Sequence, residues 1–332
     1  MSIIIRSLGA YVPEKIVTND DLSKTLDTSD AWIFPRTGIK ERRIAAPDET
    51  TSDLGAKAAR IALERAGIDA AELDAIVFTS TSPECLFPAT GCLVQKKIGA
   101  ANAFAFDLQA ACSGLLFSLE TARSFLRGNP ELRKVLVVAA EKMSSIVDWT
   151  DRGTCILFGD GAAAILLEND GEPGEGDLGP AALSSDGSYF ESLFIPAGGS
   201  RAPMTQELLD AHKNFLYMDG RLIFKLAVND MTERSRLVLK KAGMTVDDVD
   251  WFIPHQANAR IIDSVGEHLG IASEKVFRNV RNYGNTCSAT IGIALEDMIK
   301  QGLLKDGQTL LLTAMGGGVT KGAALVRWHK RF

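Results

Sequence analysis

An α/β protein built from two similar halves is the fold that this chain of 332 residues predicts. Three observations carry that reading. Continuous Val/Ile/Leu runs alternate with amphipathic helical patterns, and strands apolar on both faces belong to sheets covered on both sides. The passage Leu63-Glu64-Arg65-Ala66-Gly67-Ile68 leads through Glu72-Leu73-Asp74 into Ile76-Val77-Phe78. It is written again as Leu239-Lys240-Lys241-Ala242-Gly243-Met244, Asp248-Val249-Asp250 and Phe252-Ile253. Each copy reads as helix, Ala-Gly cap, acidic turn and buried strand. Two further pairs keep the same order: 134–140 with 308–314, and 161–166 with 322–326.

Taken along the chain, residues 1–12 alternate apolar and small side chains around Arg6. They read as a strand and lack the basic start and apolar centre of a secretion signal. Cys112 opens a run, 114–125, whose apolar residues recur at helical spacing. A thiol at a helix start faces unpaired N–H groups and the positive end of the helix dipole, and both favour the reactive thiolate. The polar, Gly/Pro-rich stretch Asp170-Gly171-Glu172-Pro173-Gly174-Glu175-Gly176 is the natural joint, giving halves 1–172 and 173–332. In the second half, 251–253 reads as a buried strand with Pro254 and His255 at its end. Asn258 either caps the following helix, 259–269, or contacts a ligand. Asn285 lies in a glycine-flanked turn, where an asparagine commonly bonds its own backbone. The strand 310–313 precedes Gly316-Gly317-Gly318, which has neither a Gly-x-Gly-x-x-Gly frame nor a Lys-Ser/Thr continuation for a nucleotide.

Composition narrows the function. A hydrophobic content of 46% supplies one large core or two medium ones, and a net charge of −6 argues against nucleic acid as the partner. An acidic protein partner would need a local basic patch. Five cysteines without metal-type spacing suit a reducing cytosol, and with four scattered histidines they give no expectation of a metal site. No apolar run reaches the ~20 residues needed to span a bilayer, so no membrane association and a cytoplasmic location are expected.

Three segments hold one reactive residue each: Asp107-Leu108-Gln109-Ala110-Ala111-Cys112-Ser113-Gly114, Pro254-His255-Gln256-Ala257-Asn258 and Asn282-Tyr283-Gly284-Asn285-Thr286. A thiol, an imidazole and an amide make the outline of an acyl-transfer site. If the strands of each half end near the pseudo-symmetry axis, that site forms where the halves meet, a common position for pockets. With Thr28-Ser29-Asp30-Ala31-Trp32, Arg36-Thr37-Gly38-Ile39, Leu86-Phe87-Pro88, Phe158-Gly159-Asp160-Gly161-Ala162 and Gly316-Gly317-Gly318, these segments run nearly end to end in one order. The chain so resembles the β-ketoacyl-acyl carrier protein synthase III family, which starts type II fatty acid synthesis.

The resemblance implies a thiolase-like fold, internally duplicated in an α-β-α-β-α layering, and a homodimer without a cofactor. It implies Cys112 as nucleophile, His255 and Asn285 as the donors that hold a malonyl-derived enolate, and the N–H groups of Cys112 and Gly317 as an oxyanion hole. Trp32, Arg36 and Arg152 would contact coenzyme A. Phe87 would reach into the neighbouring subunit's acyl pocket. Phe158, Leu216 and Phe224 line the pocket or merely pack the core, and Asn258 remains either cap or substrate contact. Arg221, Lys225 and Arg260 would dock acyl carrier protein, although Glu267-His268 stands where some members have two lysines. Lys321 and Cys287 also depart from the family pattern, and neither is expected to touch the catalytic trio. The function implied is decarboxylative condensation of an acyl-CoA primer, acetyl-CoA foremost, with malonyl-acyl carrier protein. A starter-unit acyltransferase of secondary metabolism is the near alternative. A cysteine peptidase shares the Cys…His…Asn order but lacks both the C-G-S-C-W frame and a place for the duplication. An inactive thioester-binding relative would show a changed catalytic residue.

Overall fold

The computed structural model describes residues 2–172, 174 and 176–332; Pro173 and Glu175 of the joint, and Met1 of the first strand, lie outside the described residues. One five-stranded sheet runs in the order Ile3–Tyr11, Gly161–Asn169, Lys134–Glu141, Ala75–Thr79, Phe104–Leu108. A four-stranded sheet runs in the order Leu178–Ser184, Thr320–Arg327, Thr309–Gly316, Trp251–Pro254.

The pairing senses repeat. Ala75–Thr79 is parallel to Lys134–Glu141, which is antiparallel to Gly161–Asn169, which is antiparallel to Ile3–Tyr11. In the second sheet Trp251–Pro254 is parallel to Thr309–Gly316, then two antiparallel steps reach Leu178–Ser184. The fifth strand, Phe104–Leu108, has only a single parallel bridge, Phe252 to Val276, as its counterpart. The sequence pairs explain the repetition: Gly67 and Gly243 both end their helices in the left-handed conformation, at φ 65° and 67°. In the acidic turns before the strands, the Glu72 and Asp248 carboxylates then accept the N–H groups of Asp69 and Thr245.

Helices make the other three layers. Thr51–Ala66 and Thr90–Ile98 cover one outer face, and Gly220–Ala242 with Ala259–Leu269 covers the other. Between the sheets lie Gly114–Gly128 and Thr290–Lys300, whose side chains join both sheets in one buried cluster. Leu115, Leu116, Leu119 and Leu126 are all nearly inaccessible, each worth about 1.5–3 kcal/mol of burial. Gly114 permits the close fit, since a Cβ there would stand 2.1 Å from Thr79 Oγ1.

One strand outruns the sequence reading. The strand expected at 310–313 continues to Gly316, because Met315 and Gly316 keep their pairing with Lys321 and Thr320. Backbone pairing needs no side chain, so a glycine run that reads as a turn can finish a strand.

Candidate active site

Cys112 stands just beyond the end of Phe104–Leu108. The Asp107 carboxylate accepts the N–H groups of Thr90 and Gly91, both at 2.7 Å, fixing the strand end. The chain then turns through Ala111 at φ 46°, costly for a residue with a Cβ and held by cross-half bonds. Thr320 Oγ1 donates to Ala110 C=O at 2.7 Å, and Ser113 Oγ donates to Thr320 C=O at 2.8 Å. A short 3-10 turn, Ala111–Ser113, leads into Gly114–Gly128 and sets Cys112 in the floor of a cavity of about 800 Å³.

The second half uses the same device. Cys287, at φ 48°, opens the 3-10 turn Cys287–Ala289 ahead of Thr290–Lys300. The two turns face each other, and the sulfurs of Cys112 and Cys287 lie 3.4 Å apart. This corrects the expectation that Cys287 stands off the catalytic trio. The cause is geometric: each half opens a short 3-10 turn with a left-handed residue ahead of a central helix, and the two turns pack against each other. The Cys287 hydrogen bond, with the His255 imidazole nearby, holds the Cys112 thiol well below the ordinary thiol range, while burial opposes it. The same bond and burial push the Cys287 thiol up. Of the two, Cys112 is therefore the thiol favoured to ionise.

His255 follows Trp251–Pro254, and its backbone N–H donates to Thr313 C=O at 2.8 Å. The buried ring is fixed by Nδ1 at 2.7 Å from Thr290 Oγ1, so Nε2 is the nitrogen free to serve the cavity. Its neighbour Gln256 is fully engaged within the fold: Oε1 accepts from the Asn279 and Val280 N–H groups, and Nε2 donates to the Pro254 and Phe277 carbonyls. Asn285 is clamped to the other half, its N–H donating to Leu157 C=O at 2.8 Å and its C=O accepting from Gly159 N–H at 3.1 Å. Its Oδ1 accepts the Cys287 N–H at 2.8 Å, as an asparagine in a tight turn does. That bond orients the amide so that its NH₂ end is left for the cavity that Asn285 lines. Asn285 thus bonds its own turn and also borders the cavity.

Gly316 lies under Cys112: a Cβ there would stand 2.5 Å from the Cys112 backbone nitrogen. Gly317 follows at the cavity wall.

Around the mouth, two guanidinium groups approach the Trp32 ring, Arg36 at 4.6 Å and Arg152 at 4.9 Å from its centroid. Arg152 is anchored by its bond to Asp27 C=O at 2.5 Å and is exposed outside the lining, whereas Trp32 and Arg36 form part of it. Phe158, Leu216 and Phe224 all line the cavity. Asn258 caps Ala259–Leu269, its Oδ1 accepting from Arg260 N–H at 2.8 Å, and also borders the cavity. Arg260 lies over the Phe224 ring at 5.4 Å, and Arg221 and Lys225 are exposed on Gly220–Ala242. Phe87 is outside the cavity of its own chain; it and Leu86 are exposed, at 88% and 92%. Lys321 is also away from it, in a part-buried ion pair with Asp230 at 2.7 Å.

Two participants in the site escaped the sequence reading. Thr290 holds His255, and a threonine at a helix start carries no signal of that. Glu141 is the polar end of the apolar strand Lys134–Glu141. It is completely buried and accepts hydrogen bonds from Ser80, Thr81 and Ser82 of one half and Ser288 of the other. Burial pushes its carboxyl up despite those bonds. Among the described residues, no group of three or more His, Cys, Asp or Glu could hold a metal ion, and no helix is long and apolar enough to cross a membrane.

A buried thiol, an imidazole and an amide lining one cavity of a duplicated α/β fold mark a thiolase-fold acyltransferase of the condensing type. Residues 106–187 match the family described as 3-Oxoacyl-[acyl-carrier-protein (ACP)] synthase III, and residues 239–328 match its C-terminal counterpart. The chain is 48% identical over 325 residues to the Beta-ketoacyl-[acyl-carrier-protein] synthase III of Solibacter usitatus, covering 98% of each. It superimposes on the 3-oxoacyl-[acyl-carrier-protein] synthase III of Aquifex aeolicus VF5 with a TM-score of 0.90 at 43% identity, covering 98% of this chain and 100% of that one. The priming beta-ketosynthase of the R1128 polyketide biosynthetic pathway is similar as well, with a TM-score of 0.90 at 34% identity, covering 98% of this chain and 96% of that one. The chain belongs to the β-ketoacyl-[acyl-carrier-protein] synthase III family.

Proposed function

We propose that the protein joins an acyl-CoA primer, acetyl-CoA foremost, to malonyl-acyl carrier protein, giving 3-oxoacyl-acyl carrier protein at the start of fatty acid synthesis in the cytoplasm. The observation that carries this reading is the meeting of Cys112, His255 and Asn285 in the floor of one cavity. In the first half-reaction the Cys112 thiolate attacks the acyl-CoA carbonyl, and the N–H groups of Cys112 and Gly317 stabilise the oxyanion before coenzyme A leaves as the thiol. Malonyl thioester then enters and loses carbon dioxide. Nε2–H of a neutral His255 and the Asn285 amide hold the enolate oxygen, which two neutral donors do well in a dry site. The enolate carbon attacks the acyl-cysteine carbonyl and expels the Cys112 thiolate, so no metal or bound cofactor enters the cycle.

The Trp32 ring with Arg36 and Arg152 suits adenine stacking and phosphate pairing of coenzyme A. Arg221, Lys225 and Arg260 supply the positive surface for the carrier protein. The halves 1–172 and 173–332 act as units, the first bringing the nucleophile and the second the two donors. Exposed Leu86 and Phe87, and the free edge of Phe104–Leu108 with its half-exposed Phe104, support a homodimer in which Phe87 closes the partner's acyl pocket.

The likeness to a polyketide priming synthase favours a second reading, a starter-unit enzyme of secondary metabolism. Primers differing by a methylene are separated by only ~1–3 kcal/mol each in an apolar pocket. A panel of acetyl-, propionyl-, branched and longer acyl-CoA, read by mass spectrometry of the Cys112 peptide and by product analysis, decides between them. Acetyl transfer followed by 3-oxobutanoyl-carrier protein supports the first reading. Transfer of a long or branched acyl group in place of acetyl supports the second, with carbon dioxide release marking a condensing enzyme and its absence a simple acyltransferase.

A further inference from the structure

The described residues contain one sulfur–sulfur contact, and it lies on the nucleophile. We propose that Cys112 and Cys287 form an oxidative modification site, in which a hydroperoxide entering the acyl cavity oxidises Cys112 and Cys287 closes on it as a reversible disulfide.

The geometry favours this closure. The sulfurs lie 3.4 Å apart, against the ~2.05 Å of a disulfide bond. Both side chains line the same cavity, so no backbone segment separates them and a small peroxide reaches both. Cys287 sits on its own turn at the start of a helix, with Thr81 Oγ1 3.4 Å from its other side. Of the remaining cysteines, Cys155 is inaccessible and its thiol is pushed up to about 11, chiefly by burial. Cys85 is exposed and Cys92 half-buried, and neither has a sulfur neighbour among the described residues. The order of events fits as well: the thiolate is the form that peroxide oxidises, and the Cys287 hydrogen bond and His255 lower the Cys112 thiol toward it.

The chemistry balances in two steps. The Cys112 thiolate attacks one peroxide oxygen, the O–O bond breaks, and the departing alkoxide or hydroxide takes a proton to leave as alcohol or water. Cys112 is then a sulfenic acid. The Cys287 sulfur attacks it, the S–O bond breaks, and hydroxide leaves as water with the Cys287 proton. Two thiols lose two hydrogens, and the hydroperoxide is reduced to alcohol (or water) and water. Without Cys287, Cys112 sulfenic acid continues to sulfinic and sulfonic acids, which a thiol reductant does not reverse. An acyl group on Cys112 removes the thiolate and blocks the first step.

The test treats the full-length protein with hydrogen peroxide, with and without prior acyl-CoA, alongside Cys287→Ser. Peptides are mapped by mass spectrometry without reduction, and turnover is followed before and after dithiothreitol, each protein against its own untreated rate. The expected result is a peptide joining Cys112 to Cys287, two hydrogens lighter than its parts, that disappears on reduction and does not form in acylated protein. Wild-type activity falls and returns with dithiothreitol, whereas the variant's loss is permanent and its Cys112 carries sulfinic acid. Wild-type Cys112 over-oxidised as readily as in the variant, with no joined peptide, overturns the proposal. The joined peptide is read without any turnover assay, so this result is independent of the condensation reading.

Discussion

His255 and Thr290 form a hydrogen-bonded pair 35 residues apart in sequence, with Nδ1 2.7 Å from Oγ1. Thr290 begins the buried helix Thr290–Lys300, so the contact ties a ring at a strand end to the central layer of the fold. An imidazole that donates from Nε2 must accept at Nδ1, and the Thr290 hydroxyl supplies the proton for that. Thr290→Val therefore lowers malonyl decarboxylation while leaving self-acylation by acyl-CoA near wild type. A bond worth roughly 0.5–1.5 kcal/mol sets the loss at up to about tenfold. Thr290→Ser restores the rate; equal damage to both half-reactions would assign Thr290 to packing.

The Cys112–Cys287 contact makes a prediction in pH. The Cys287 hydrogen bond is the largest influence lowering the Cys112 thiol, so Cys287→Ala raises it. Below its own pKa a thiol reacts in proportion to its thiolate fraction. Alkylation of Cys112 by iodoacetamide slows in the variant at neutral and mildly acidic pH, and the two rates converge as pH rises past the variant's pKa. Superimposed pH profiles would place the source of thiolate stability in the helix start and His255.

Docking of the carrier protein rests on surface charge. Lys225→Glu raises KM for malonyl-acyl carrier protein and leaves acyl-CoA kinetics nearly unchanged, and the wild-type KM climbs with salt as screened attractions do. Arg260→Glu is the less clean variant, because Arg260 also lies over Phe224 in the cavity wall. An unchanged KM in Lys225→Glu moves docking to another face.

Phe87 tests the dimer. Phe87 is exposed in its own chain, and in the proposed dimer its ring would set the length of the primer from within the partner's pocket. Phe87→Ala admits longer acyl groups, each further buried methylene gaining about 0.8 kcal/mol. The rate ratio for acetyl- and hexanoyl-CoA shifts toward hexanoyl in a protein that still sediments as a dimer; a fixed ratio leaves the ring as surface packing.

Much of this site could be read before the fold was known. Cap, acidic turn and buried strand are local signals, so the repeated passages around Gly67 and Gly243 showed the duplication. Cys112 announced itself by opening a helix. Contacts across the pseudo-symmetry axis were out of reach, because they depend on how two turns face each other. Cys287 was visible as an unusual residue yet was placed off the trio; only the left-handed turn at its own φ brings its sulfur to Cys112, 175 residues away. Glu141 likewise reads as the polar end of a strand, and its burial follows from Ser288 arriving from the other half.

The most direct test of the account is carbon dioxide release from carboxyl-labelled malonyl-acyl carrier protein, with and without an acyl-CoA primer. The wild type releases label and forms 3-oxoacyl-carrier protein only when a primer can load Cys112. His255→Ala and Asn285→Ala still take the acyl group but lose release by about 10²–10³. Cys112→Ser accepts no acyl group and yields no condensed product. Condensed product from Cys112→Ser, or undiminished release in both His255→Ala and Asn285→Ala, would contradict a condensing site built on these three residues.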